Sequence, residues 1–120
     1  HRIREPEAFF HVTARGNNRQ NIFEVDEDKL DYLRRLKTAL AACKIRLYAY
    51  CLMTNHLHLL VQDVEGGRLR QAIQRVHGDF AHAWNRRRGR IGHVFNGLFT
   101  VSNHWTTEPE NELAVNGVLR

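Results

Sequence analysis

His56-Leu57-His58-Leu59-Leu60-Val61-Gln62-Asp63 begins with strict polar–apolar alternation and reads as a β-strand. Successive side chains on a strand point to opposite faces. Leu57, Leu59 and Val61 therefore share one face, and His56, His58 and Leu60 share the other. The Leu-Leu-Val row is the better core face. Just upstream, Arg46 to Met53 reads as another strand. Only Thr54 and Asn55 separate the two, which predicts an antiparallel hairpin. Both imidazoles then lie together on the face away from the core, with backbones about 6–7 Å apart.

Working outward, Phe9 to Ala14 reads as an earlier strand, with Phe10, Val12 and Ala14 on one face and Phe9, His11 and Thr13 on the other. The polar segment Arg15-Gly16-Asn17-Asn18-Arg19 follows as a turn. Asp26 is placed to cap a helix running to about Cys43, whose apolar positions are Leu30, Leu33, Leu36 or Lys37, and Leu40. Asp26, Glu27 and Asp28 crowd its first turn, as the helix dipole prefers. Gly66-Gly67 breaks the chain before a second helix, roughly Arg68 to Arg87. Leu69, Ile73, Val76, Phe80 and Ala83 or Trp84 make its stripe, and Gly89 and Gly92 end it. A last strand is expected over Leu98 to Asn103, and a weak helix from Glu108 to Arg120, with Gly117 inside it costing about 1 kcal/mol. The order strand, helix, strand, strand, helix, strand predicts an α+β, ferredoxin-like domain. In that plan a four-stranded antiparallel sheet carries its helices on one face, and the other face stays open.

The 120 residues fit a single domain, 42% apolar and 26% charged, with the composition of an ordinary soluble protein. No apolar run is long enough to span a membrane, and residues 1–6 lack the apolar core of a secretory signal. Cys43 and Cys51 are too few for a disulfide framework and read as small buried hydrophobes of a reducing cytoplasm. The net charge of +5 is unevenly placed. Between residues 68 and 90, Arg68, Arg70, Arg75, Arg86, Arg87, Arg88 and Arg90 face only Asp79. The planar guanidinium fork matches phosphate oxygens, so a polyanion is the natural partner of this stretch. The competing reading is a solvated helix face.

Two imidazoles on one strand face can reach a single metal at about 2.0–2.2 Å per bond. Two ligands leave coordination positions free for water or phosphate, which suits Lewis-acid chemistry better than a closed structural site. A bare His-x-His on a strand is also what a surface residue beside a hydrogen-bonded bystander looks like.

Three segments carry a resemblance. Phe10-His11-Val12-Thr13-Ala14-Arg15-Gly16-Asn17, the block Tyr48 to Val61 with its Met53-Thr54-Asn55-His56-Leu57-His58 core, and Trp84 to Phe95 resemble the REP-associated tyrosine transposases. These are single-tyrosine members of the His–hydrophobic–His nucleases, and order and spacing agree from about residue 2 onward. The resemblance implies cutting and rejoining of single-stranded DNA beside hairpins through a 5′-phosphotyrosine link. It assigns His56 and His58 as ligands of a divalent metal, Mg²⁺ or Mn²⁺. Arg86, Arg87, Arg88 and Arg90, with Arg15, Asn17 and Asn85, become candidates to contact single-stranded or hairpin DNA. It further implies a monomer or homodimer in the cytoplasm, associated with the bacterial nucleoid.

The family's nucleophile lies on a C-terminal helix, and the matching segment here, Glu112 to Arg120, contains no tyrosine. Tyr32, Tyr48 and Tyr50 are the only tyrosines, and all precede the histidine pair. No catalytic residue is therefore assigned. The expectation is a domain cut just before its tyrosine helix, with a non-catalytic binder of DNA hairpins as the alternative. Leu98 stands where relatives carry Arg after Gly, so one phosphate contact is expected to be missing. Phe80, where relatives often have Tyr, fits the apolar stripe. His11 shares the open-face parity and is expected to neighbour the metal pair in a supporting role. His77, His82, His93 and His104 read as surface or packing residues. Of Trp84, Phe95, Phe99 and Trp105, all but one are expected to pack in the core, the other to stack on unpaired bases. A ferredoxin-like RNA binder would place aromatics where the strand carries His56, His58 and Leu60, which counts against that class.

Overall fold

The computed structural model describes residues 8–97 and 99–102. Strand β1 spans Ala8–Arg15, helix α1 Asp26–Ala42, strand β2 Ile45–Met53, strand β3 His56–Asp63, helix α2 Leu69–Arg88 and strand β4 Thr100–Ser102. The sheet order is β2-β3-β1-β4, and every pairing is antiparallel. This is the ferredoxin-like arrangement, with β1 and β3 in the middle.

The alternation in β3 fixes which side of the sheet is covered. Leu57, Leu59 and Val61 are fully buried and join Phe10 and Val12 from β1 in one core. Leu36 and Leu40 of α1 and Leu69, Ile73, Val76, Phe80 and Trp84 of α2 close that core from above. Each such side chain contributes about 1.5–3 kcal/mol through burial. Met53 pairs with His56 across a two-residue turn at Thr54 and Asn55. The hairpin tip is docked in turn on the segment after β1. The Thr54 carbonyl accepts from the Ile22 and Phe23 amides, and the Asn55 carbonyl from the Gly16 amide. Gly16 is needed there because a Cβ would collide with the Gln20 carbonyl oxygen.

Several local expectations are corrected. Val25, not Asp26, occupies the N-cap of α1. Asp28 does the capping, its Oδ2 accepting from the Glu24 and Val25 amides. Leu30 is 62% exposed, and Tyr32 takes the buried place on that turn, because the helix is rotated to bring Asp28, Tyr32 and Leu36 inward. Cys43 and Cys51 are free and half-buried, not fully inside. Helix α2 ends at Gly89, whose φ of 62° supplies the left-handed cap. A bulge between Leu47 and Ala49 interrupts β2. The described part of β4 starts at Thr100. Leu98, Asn103, His104, Trp105 and the expected helix from Glu108 to Arg120 lie outside the described residues.

Candidate metal site on the open sheet face

His56 and His58 emerge together on the uncovered face, where strand parity places them. On one side they pair with Met53 and Cys51 of β2, on the other with Arg15 and Thr13 of β1. Their ring centroids are 5.3 Å apart, with planes at 87°. His56 Nδ1 is 2.9 Å from Asn55 Oδ1. An amide oxygen only accepts, so His56 Nδ1 carries a hydrogen, which in a neutral ring puts the lone pair on Nε2. His58 Nδ1 lies 3.0 Å from His11 Nε2, and these two rings stack at 5.2 Å and 15°. Burial, then the neighbouring His56, pushes the His58 pKa below its ordinary value. His11 is lowered in the same way, by burial and then by His58. Both shifts favour neutral imidazole, the form that ligates a metal.

The pair lines a groove of about 760 Å³ with Thr13, Arg15, Arg19, Asn55, Asn96 and Thr100. Its wall is mainly polar. Two larger hollows flank α1 and contain no histidine. Among the described residues no group of three or more His, Cys, Asp or Glu side chains could hold a metal. A metal at this point would take two imidazoles from the protein, and two rings with Nδ1 already engaged fit that demand. Imidazole suits Mn²⁺ better than the harder Mg²⁺, which prefers oxygen.

The arginines separate into two groups. Arg15 stands beside His56 in the groove, with Arg19 close by. Arg87 and Arg88 are instead bound to acids of α1 and its approach. Arg87 meets Asp28 at 2.8 Å and Asp31 at 3.7 Å, and Arg88 meets Glu24 at 2.7 Å and Asp28 at 2.6 Å. The Arg88 guanidinium also lies over Trp84 at 4.1 Å, and Arg90 over the same ring at 5.4 Å. Arg86 and Arg90 are exposed. Asn85 donates from Nδ2 to the Gly92 carbonyl, and the Asn17 amide donates to the Val94 carbonyl. The groove lining thus includes Arg15 but not Asn17, Asn85 or the Arg86–Arg90 group.

None of the three tyrosines stands beside the histidine pair. Tyr32 is buried under the helices, its hydroxyl 2.8 Å from His77 Nε2, and burial raises its pKa. Tyr50 pairs with Leu59 and so shares the parity of the helix-covered face. Tyr48 is turned onto the open face by the bulge. There it donates to Gln62 Oε1 at 3.0 Å and packs on Phe9 at 5.3 Å. Trp84 and Phe99 are core residues, Phe95 is half-buried against His77, and Trp105 lies outside the described residues. His77 is buried, while His82 and His93 are exposed.

Sequence reading missed Arg19, Asn96 and Tyr48 on this face. A bulge leaves no mark in the alternation pattern. Arg19 and Asn96 come from loops whose placement depends on long-range bonds such as the Asn96 amide to the Arg15 carbonyl.

The family described as "Transposase IS200 like" matches residues 6–111. The solved structure of a REP-associated tyrosine transposase bound to a REP hairpin superposes with a TM-score of 0.77 at 13% identity, covering 98% of this chain and 68% of that one. A chain from Deinococcus radiodurans R1, assigned as a transposase, superposes with a TM-score of 0.67 at 15% identity, covering 94% of this chain and 88% of that one. At these identities the structural likeness speaks for the fold. No curated protein matches the sequence.

Proposed function

The chain belongs to the IS200-like transposase family, and on that footing we propose that it holds hairpin-bearing or single-stranded DNA against a divalent metal bound by His56 and His58. The observation that carries this reading is the pair itself. Two imidazoles share the open face of a two-layer domain, each with Nδ1 engaged. The hairpin bound by the REP-associated relative supports hairpin DNA as the partner. No helix among the described residues is long and apolar enough to cross a membrane.

In this reading each residue has a physical task. His56 and His58 would hold the metal, which when bound supplies Lewis-acid polarisation of a phosphodiester. Arg15 and Arg19 place two fixed positive charges in the same groove, where they draw in the phosphate backbone without reading sequence. Arg86 and Arg90 extend the positive field at the end of α2. Family chemistry requires a tyrosine hydroxyl to attack phosphorus and displace the 3′ oxygen, and Tyr32, Tyr48 and Tyr50 are all placed away from the pair. Their placement favours a second reading for residues 1–120 acting alone, a binder that positions DNA without cutting it.

The test is an anisotropy titration with a hairpin oligonucleotide carrying a single-stranded flank, followed by incubation in Mn²⁺. The expected result is tighter binding than to a blunt duplex of equal length, with no cleavage by residues 1–120. Native reading-frame sequence extended past residue 120 and bearing a tyrosine is expected to nick the flank, and Tyr→Phe to abolish nicking. Equal affinity for blunt duplex overturns the DNA reading. Nicking that survives Tyr→Phe overturns the tyrosine chemistry.

A further inference from the structure

We propose that His11 is the positioning residue of His58, accepting the His58 Nδ1–H at its own Nε2 and so making Nε2 the metal-binding atom of His58. The inference rests on reading His56 and His58 as a metal pair, and deepens it.

A neutral imidazole has one N–H and one lone pair, so the 3.0 Å contact between His11 Nε2 and His58 Nδ1 admits two arrangements. If His11 donates, His58 Nδ1 accepts and the remaining proton of His58 sits on Nε2, leaving no lone pair for a metal. If His58 donates, Nε2 is left unprotonated. Only the second arrangement makes His58 a ligand. The same choice is already made at His56, where Asn55 Oδ1 forces the hydrogen onto Nδ1. Two different partners thereby impose one outcome, a lone pair on Nε2 in both rings. The orienting of a ligating histidine through its second nitrogen is worth roughly 10–100-fold in metal affinity.

Sheet geometry makes His11 the residue able to do this. It pairs with Leu60, and Thr13 pairs with His58, so His11 is the diagonal neighbour of His58 on the adjoining central strand. The two rings lie nearly parallel, which fixes the plane of His58 as well as its tautomer. Both strands are internal to the sheet, so neither ring rides on a mobile edge.

The first measurement needs no variant. Nitrogen-15 NMR of the histidine rings in the metal-free protein is expected to show His58 protonated on Nδ1. His11→Gln, whose Oε1 can accept in place of Nε2, is expected to keep that tautomer and to bind Mn²⁺ within about threefold of wild type. His11→Phe keeps ring shape without an acceptor. It is expected to release His58 to the Nε2–H form and weaken Mn²⁺ binding by about tenfold or more. A wild-type His58 protonated on Nε2 overturns the proposal. So does a folded His11→Phe protein that retains both the tautomer and the affinity. Failure of the underlying metal reading shows separately, as Mn²⁺ binding that survives His56→Ala combined with His58→Ala.

Discussion

Arg88 Nη2 lies 2.6 Å from Asp28 Oδ2, an ion pair that ties the last turn of α2 to the first turn of α1. Asp28 is fully buried, and its carboxylate also takes Arg87 and the Glu24 and Val25 amides. Burial alone would raise its pKa. The hydrogen bonds from Arg88, the Glu24 amide, Arg87 and the Val25 amide more than offset that and hold it below the ordinary carboxylate value. Removing the acid takes from Arg87 and Arg88 their shortest ion pairs, leaving Asp31 at 3.7 Å and Glu24 at 2.7 Å, and uncaps the helix. Asp28→Ala is expected to cost about 3–5 kcal/mol in a urea unfolding experiment, a large part of the stability of a domain this size. A loss under about 1 kcal/mol would show that the pair is not a structural tie.

This tie divides the arginine stretch by role. Arg88→Ala is expected to lower the unfolding midpoint, because its side chain is only 15% exposed and doubly paired. Arg15→Ala and Arg86→Ala are expected to leave that midpoint unchanged and to weaken DNA binding. Each should reduce the slope of log affinity against log salt by about one. Unchanged slopes in both variants would remove these residues from the phosphate path.

His77 predicts how the fold responds to acid. It is buried beneath Phe95 and Phe99 with Tyr32 on its Nε2, and burial pushes its pKa down to about 4. The folded pKa lies below the unfolded value of 6.5, so the unfolded chain binds the proton first. Stability is therefore lost as pH falls from 6.5 toward 4, by up to about 3 kcal/mol from this residue. His11 and His58 act in the same direction. Urea midpoints at pH 7 and pH 4.5 are expected to differ less in His77→Gln than in wild type. Identical differences would show that His77 is not the acid-sensitive group.

Metal and DNA are expected to bind by separable contacts. His56→Ala and His58→Ala should each leave hairpin affinity within about threefold of wild type, as should removal of divalent ions by chelation, because backbone contacts and not the metal carry most of the affinity. A tenfold loss on chelation, seen by anisotropy, would mean that the metal is itself a principal DNA contact.

The β3 alternation and the two-residue turn at Thr54 and Asn55 were enough to place the histidines on one face, because register is a local property of a strand. The helix rotation was less legible. Leu30 looked like a core residue by spacing, yet Tyr32 took the inward position once Asp28 was drawn toward Arg87 and Arg88, a pairing about sixty residues away in sequence. The same pairing is why the arginine stretch read as one functional block when part of it is structural. His11 could be placed on the right face by parity, but its contact with His58 depends on the β1–β3 register, which no local pattern encodes.

The histidine pair is tested most directly by calorimetric titration of Mn²⁺ into metal-free wild type and into the protein carrying both His56→Ala and His58→Ala. Binding of about one ion per chain by wild type, and none at the same concentrations by the double variant, is the predicted result. Equal binding by the two proteins would contradict a metal centre at this pair.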